Sequence, residues 1–208
     1  MQAYRQVVSN KGSAGVDGMS VKELYGHLTN NREQIESDIR TGKYLPQAIK
    51  GVEIPKSNGK ARLLGVPTVT DRLLQQAVGQ VLAIKFEMVF EDYSYGFRPQ
   101  RSCHMAIHKA LEYLNDGYEW VVDIDLEKFF DTVPQDRLMS LVHNIIQDGD
   151  TESLIRKSLH SGVVINGQRY KTLVGTPQGG NLSPLLSNIM LNELDKELEN
   201  RGLRFVRY

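Results

Sequence analysis

The chain of 208 residues has one cysteine, Cys103, so an internal disulfide and a cysteine-rich zinc site are both excluded. A lone thiol suits a reducing compartment. There is no apolar run long enough to span a bilayer, and the first residues show no secretory leader. There is no net charge either, because 25 Lys and Arg balance 25 Asp and Glu, so no bulk field draws the molecule to nucleic acid or to a membrane. Repeats and low-complexity segments are missing. What remains is an ordinary globular composition, 40% hydrophobic and 24% charged, enough for one domain or two small ones.

The balance of charge hides an uneven distribution. Arg40, Lys43, Lys50, Lys56, Lys60 and Arg62 face only Glu53 among acids over the same stretch. Such a run is either a solvated face or a local site for polyanions.

The element pattern alternates irregularly. A first helix is expected through about Val8, followed by a glycine-rich loop around Gly12, Gly15 and Gly18. Helices resume near Ser20 and Asn31, with Ser20 as a cap. A hairpin is expected from Val52 to Val66, turning at Ser57-Asn58-Gly59 because Asn-Gly takes positive backbone angles readily. Lys56, Lys60 and Arg62 lie close to its tip. Leu73, Ala77, Leu82 and Phe86 predict a long helix after Thr70, and another should run from Ser102 to Asn115 and stop at Gly117. Pro134 and Asp136 suit the first turn of a helix carrying Leu138, Leu141, Val142 and Ile145. A short helix should end near Gly162, before a second hairpin, Val163 to Lys171, that turns at Asn166-Gly167. The loop from Gly175 to Leu182 delivers Ser183 as a helix cap and Pro184 as the first helical residue. Leu186, Met190, Leu194 and Leu198 then form a stripe expected to face the core. Gly202 ends that helix, and Leu203 to Tyr208 returns as a strand. This order predicts an α+β protein with antiparallel sheets.

The most informative run is Val121-Val122-Asp123-Ile124-Asp125-Leu126-Glu127-Lys128-Phe129-Phe130-Asp131. A strand from about Glu119 to Leu126 would place Asp123 and Asp125 on one face, with Val122, Ile124 and Leu126 on the other. Two buried carboxylates side by side need a cation, and a hard divalent metal is the direct solution. Ion pairing with a nearby Lys or Arg is the alternative. Asp131 reads as the cap of the following helix.

Together, and in this order, these pieces resemble the reverse transcriptases encoded by bacterial group II introns, the intron maturases. Gly15-Val16-Asp17-Gly18 is similar to the family's leading motif. Ile54-Pro55-Lys56 through Arg62 and Gly65-Val66-Pro67 is similar to its first fingers motif, and Tyr95-Gly96-Phe97-Arg98-Pro99 with Arg101-Ser102 to its second. The acidic run resembles the metal-binding motif, and Thr176-Pro177-Gln178-Gly179-Gly180 with Ser183-Pro184 the nucleotide-pocket motif. In the family, Phe-Val-Arg-Tyr continues into Ala-Asp-Asp, whereas Phe205-Val206-Arg207-Tyr208 closes this sequence. The expectation is therefore a catalytically incomplete portion of a right-hand polymerase. Its fingers would comprise residues 1–95 and 133–182, and its partial palm residues 96–132 and 183–208.

That resemblance implies RNA-directed DNA synthesis with Mg2+ as cofactor. Asp125 is the expected catalytic metal ligand, since its separation from Asp131 matches the family pattern. The Leu126 carbonyl would add a second ligand, and Asp123 is a substitute or supporting candidate. Lys56 and Arg62 would clamp the incoming triphosphate, or else be exposed hairpin charges. The backbone amides of Lys128 and Phe129 would also meet it. Phe129 would lie under the sugar and exclude a 2′-hydroxyl by contact, with Phe130 as the fallback gate. Gln178 would touch the incoming sugar or base. Arg98 steadies either the template path or the sheet. Tyr93, Tyr95 and Phe97 are stacking candidates, but burial is the reading preferred for them. His104 and His108, a helical turn apart, read as surface or core rather than metal ligands. Expected partners are group II intron RNA, an RNA template with a DNA primer, and deoxynucleoside triphosphates, with no membrane. The faces left by the last helix and strand favour self-association, so a homodimer is also anticipated. The expected location is the bacterial cytoplasm. Two other functions compete: an RNA-binding maturase module without polymerase activity, and a different palm enzyme such as a nucleotide cyclase.

Overall fold

The computed structural model describes residues 1–55, 59, 61–177 and 179–208, so the expectations placed on Lys56, Ser57, Asn58, Lys60 and Gln178 lie outside the described residues. The helices are α1 (Gln2–Ser9), α2 (Leu24–Arg40), α3 (Val69–Phe86), α4 (Cys103–Asn115), α5 (Phe129–Thr132), α6 (Gln135–Ile146), α7 (Gly149–Leu159) and α8 (Ser183–Asn200). The strands are β1 (Ile49–Pro55), β2 (Ala61–Val66), β3 (Val163–Ile165) and β4 (Gln168–Tyr170). Both hairpins form, β1 with β2 and β3 with β4. In the second, Asn166 and Gly167 take φ of 50° and 80°, as a two-residue turn between right-twisted strands requires. The sheet order is β2-β1-β3-β4. Each hairpin is antiparallel, but a short parallel pairing, Ile49 with Val163 and Lys50 with Val164, joins them into one mixed sheet.

The helices start where side chains satisfy their free amides. The Thr68 hydroxyl accepts from the Asp71 amide, Ser102 from Met105, and Asp148 from Thr151. Such a cap is worth about 1 kcal/mol. Ser20 does not cap α2. Instead its amide and hydroxyl both donate to Glu23, just ahead of that helix. Asp131 does not cap α6 either. It lies inside the one-turn α5, and Pro134 occupies the cap position of α6. At α8 the cap position is Leu182, and the Ser183 hydroxyl donates to the Pro177 carbonyl.

The main core joins Leu82 and Phe86 of α3 and Phe90 to Leu138 and Val142 of α6, Ile155 and Leu159 of α7, and Leu186 and Ile189 of α8. Each fully buried side chain of this size stabilises by roughly 1.5–3 kcal/mol. A second, smaller cluster, Val7, Leu24 and Val69, ties α1 and α2 to the start of α3. Gly15 permits this, because a Cβ there would stand 2.7 Å from the Thr68 Cα. Beside it, Asp71 accepts from the Tyr44 hydroxyl at 2.7 Å, from the Thr68 hydroxyl at 2.6 Å and from the Gln47 amide at 3.1 Å. Burial pushes the Asp71 carboxyl up, against the downward pull of those bonds. No described helix is long and apolar enough to cross a membrane.

Two expected strands are not formed. Residues 118–126 have no strand pairing, and every one of them is exposed. Residues 203–208 contribute a single bridge, Ser94 with Arg207. The reason is shared: a β-rich sequence becomes a strand when a neighbour accepts its ladder bonds and packs its faces. Among the described residues no strand pairs with 118–126. Asp123 and Asp125 therefore do not share the face of a strand.

Candidate active site

Five stretches of chain converge on one cleft of about 1420 Å3. Its walls include Arg62 and Leu63 of β2, Phe97, the whole acidic run from Val121 to Asp131, Asn188 and Leu194 of α8, and the terminal segment from Arg204 to Tyr208. The expected stripe on α8 divides accordingly. Leu186 is buried in the core, whereas Leu194 and Leu198 line the cleft.

Asp123 and Asp125 are both exposed on this cleft. Their carboxylates, with the Leu126 carbonyl, are hard oxygen donors of the kind Mg2+ takes through one or two carboxylates plus waters and substrate phosphates. The donor chemistry fits that ion. No group of three or more His, Cys, Asp or Glu residues gathers as a ready metal cage among the described residues. His104 and His108 are exposed on α4.

The chain turns out of the acidic run at Lys128, whose left-handed backbone (φ 52°) starts α5. Phe129 and Phe130 follow, edge to face at 5.9 Å between ring centres. Phe129 packs against the main core while still lining the cleft. The loop around Gly175 and Thr176 docks on this turn. The Thr176 amide donates to the Phe130 carbonyl at 2.6 Å and the Gly175 amide to Val133 at 2.8 Å. Glycine is required at 175, since its φ is +85° and a Cβ would meet the Phe130 carbonyl at 2.7 Å. On its other side the loop abuts β2, where a Cβ on Gly179 would come 2.3 Å from the Gly65 carbonyl. The loop is thus wedged between the diphenylalanine turn and the strand that carries Arg62. Lys56 and Gln178 lie outside the described residues.

Arg98 has a clear role. It is buried and donates to the Glu91 carbonyl at 2.5 Å, to Ser94 at 2.9 Å and to Glu87, with its guanidinium 5.3 Å from the Phe90 ring centre. All of this holds the 87–98 segment; none of it points at the cleft. Tyr95 is buried and Tyr93 half-buried, but Phe97 is 73% exposed, against the expected burial. Its backbone has φ +57°, which turns the ring away from the core.

The residues that sequence reasoning passed over are those that hold the floor of the cleft. Arg207 donates to Asp195 through Nη2 at 2.6 Å and Nε at 2.8 Å, to Asn188 at 2.8 Å and to the Ser94 hydroxyl at 2.6 Å. Asn188 in turn donates to the Gly96 carbonyl, and Asn192 to that of Val89. Asn188, Asn192 and Asp195 are all buried. Their spacing of four and three residues on one helix was a readable sign of a polar face turned inward. Gln135, which donates to the Gly175 carbonyl at 2.8 Å, left no comparable sign.

Comparison with known proteins agrees with this geometry. The sequence profile of the reverse transcriptase (RNA-dependent DNA polymerase) family matches residues 54–208. The group II intron-encoded protein LtrA of Lactococcus lactis subsp. cremoris is 42% identical over 99% of this chain, and protein YkfC of Escherichia coli K12 is 40% identical over 97%. The chain spans 34% of the length of LtrA and 55% of YkfC. Among solved structures, a partial Cas6-RT-Cas1–Cas2 complex aligns over 99% of this chain and 35% of its own, with a TM-score of 0.58 and 25% identity. Motif order, fold and similarity agree: the chain belongs to the reverse transcriptase family and is similar to a group II intron-encoded member of it.

Proposed function

We propose that this chain supplies the nucleotide pocket and the first metal-binding arm of an RNA-directed DNA polymerase. The observation that carries the reading is the convergence of the Asp125 segment, the Phe129-Phe130 turn and the wall of β2 bearing Arg62 on one cleft. Asp125, the Leu126 carbonyl and, in support, Asp123 would hold Mg2+. When bound, the ion would neutralise charge developing on the transferring phosphoryl group, as in two-metal nucleotidyl transfer. Arg62, with Lys56 and the amides of Lys128 and Phe129, would bind the triphosphate of a deoxynucleotide. Gln178 would meet its sugar or base. Phe129, wedged against the core, is a rigid apolar wall that would reject a 2′-hydroxyl by contact, with Phe130 behind it. The bacterial cytoplasm would supply the substrates. In this reading, residues 1–95 and 133–182 act as fingers, and 96–132 and 183–208 as part of the palm.

The test is primer extension on an RNA template, run with the protein at its encoded length. Asp125→Asn should lower the extension rate by about a thousandfold or more, from the loss of several kcal/mol of charge stabilisation. Binding of the template–primer duplex should be unchanged. Extension at the unsubstituted rate would remove Asp125 from the reaction.

The exposed cations Arg40, Lys43, Lys50 and Arg62 favour a second activity on the same chain, binding of intron RNA in support of splicing. Affinity for such RNA should fall steeply with salt as condensed counterions are released. A flat salt titration would exclude phosphate neutralisation as its basis.

A further inference from the structure

Phe97 combines two unfavourable features that nothing in the described chain offsets. Its ring is 73% exposed, on the wall of the cleft. Its backbone is left-handed, at φ +57°, a region where a bulky side chain is strained and where glycine is the ordinary choice. A strained conformation persists only when its surroundings over-determine it. Here they do so from both sides. Before it, the Gly96 carbonyl accepts from Asn188 at 2.8 Å, and the Gly96 Cα lies so close beneath Tyr208 that a Cβ would meet the Tyr208 carbonyl carbon at 3.0 Å. After it, Arg98 is buried and anchored to Glu87, Glu91 and Ser94. The ring is therefore held out over the cleft by a backbone that is fixed on each flank. Trp120, a second exposed aromatic of the cleft, sits in the unpaired acidic run and has no such support among the described residues.

We infer that Phe97 is a preorganised stacking platform for one nucleobase of the RNA strand lying in this cleft. A flat, rigid, solvent-facing ring is what sequence-tolerant base recognition needs, since every base offers a π face. Arg62 on the same wall adds the cation that a phosphate backbone requires. The inference rests on the polymerase reading above and adds to it a base contact outside the nucleotide pocket.

The experiment measures binding of a short fluorescently labelled single-stranded RNA to the 208-residue chain. The comparison includes Phe97→Ala, Phe97→Gly and Phe97→Tyr, and the same RNA carrying abasic residues. Phe97→Ala and Phe97→Gly should weaken binding roughly 5- to 150-fold, the range of one base stack. Phe97→Tyr should stay within about threefold, because the π face is kept. Abasic RNA should bind the wild type more weakly but bind Phe97→Ala no worse than intact RNA does. Phe97→Gly should melt at the same temperature as wild type or higher, since glycine relieves the left-handed strain. Unchanged affinity in Phe97→Ala, a Phe97→Tyr as weak as Phe97→Ala, or a clear fall in melting temperature for Phe97→Gly would overturn the inference alone. Failure of the wild type to bind RNA at low salt would instead overturn the polymerase reading beneath it.

Discussion

The acidic run at 118–126 and the terminal segment at 203–208 face each other across one cleft, and both have the apolar composition of strands. Only the second is held in place. Its Arg207 amide donates to Tyr93 at 2.9 Å, and its carbonyl accepts from Tyr95 at 2.7 Å. Its side chain reaches a carboxylate, Asp195, that is completely buried. Among the described residues the acidic run has no comparable backbone anchor, and Trp120, Val121 and Val122 stand 94%, 77% and 83% exposed. Local sequence does not account for the difference. Position is conferred by one charged side chain with three partners and by a glycine that lets two backbones touch, whereas β-branched residues without a neighbour remain in water.

The comparison can be broken most severely at its ion pair. Arg207→Ala leaves Asp195 buried and uncompensated, and should lower the unfolding free energy by about 3–5 kcal/mol in urea titration. In hydrogen exchange, amides of 203–207 should then come to resemble those of 118–126. A smaller loss, about 1–3 kcal/mol, is expected for Gly96→Ala, whose new methyl must push Tyr208 aside. Ser94→Ala removes one bond to the guanidinium and should cost roughly 1.5 kcal/mol. Least of all, Asp123→Asn and Asp125→Asn should shift stability by no more than about 0.5 kcal/mol, because both side chains are exposed. A large destabilisation by either would mean that the acidic run is already anchored. Trp120, the one tryptophan, gives a direct reading, and its emission should be quenched freely by acrylamide.

Much of the fold could be read from local chemistry. Asn166-Gly167 placed a turn, Ser102 capped α4, and the spacing of Leu82 and Phe86 marked the buried face of α3. The site was legible where a motif carried its own constraint. Gly175 and Gly179 stand where no other residue would fit, and the acidic run does line the cleft. What escaped the sequence depends on contacts between distant parts. Leu194 and Leu198 look like core but face the cleft, since the inward face of that end of α8 is given to Asn192 and Asp195. Asp131 has a capping side chain, yet α5 takes it up before α6 begins. Phe97 has the composition of a buried residue and the backbone of an exposed one, and only the φ angle distinguishes them.

The parallel junction between the hairpins sets an order of assembly. Each hairpin closes over a handful of residues, on the order of microseconds. Their meeting, through Ile49 with Val163 and Lys50 with Val164, brings together positions roughly a hundred residues apart. That step must wait for the helices between them to gather, so the sheet should be the last part of the molecule to mature and the first to open under force.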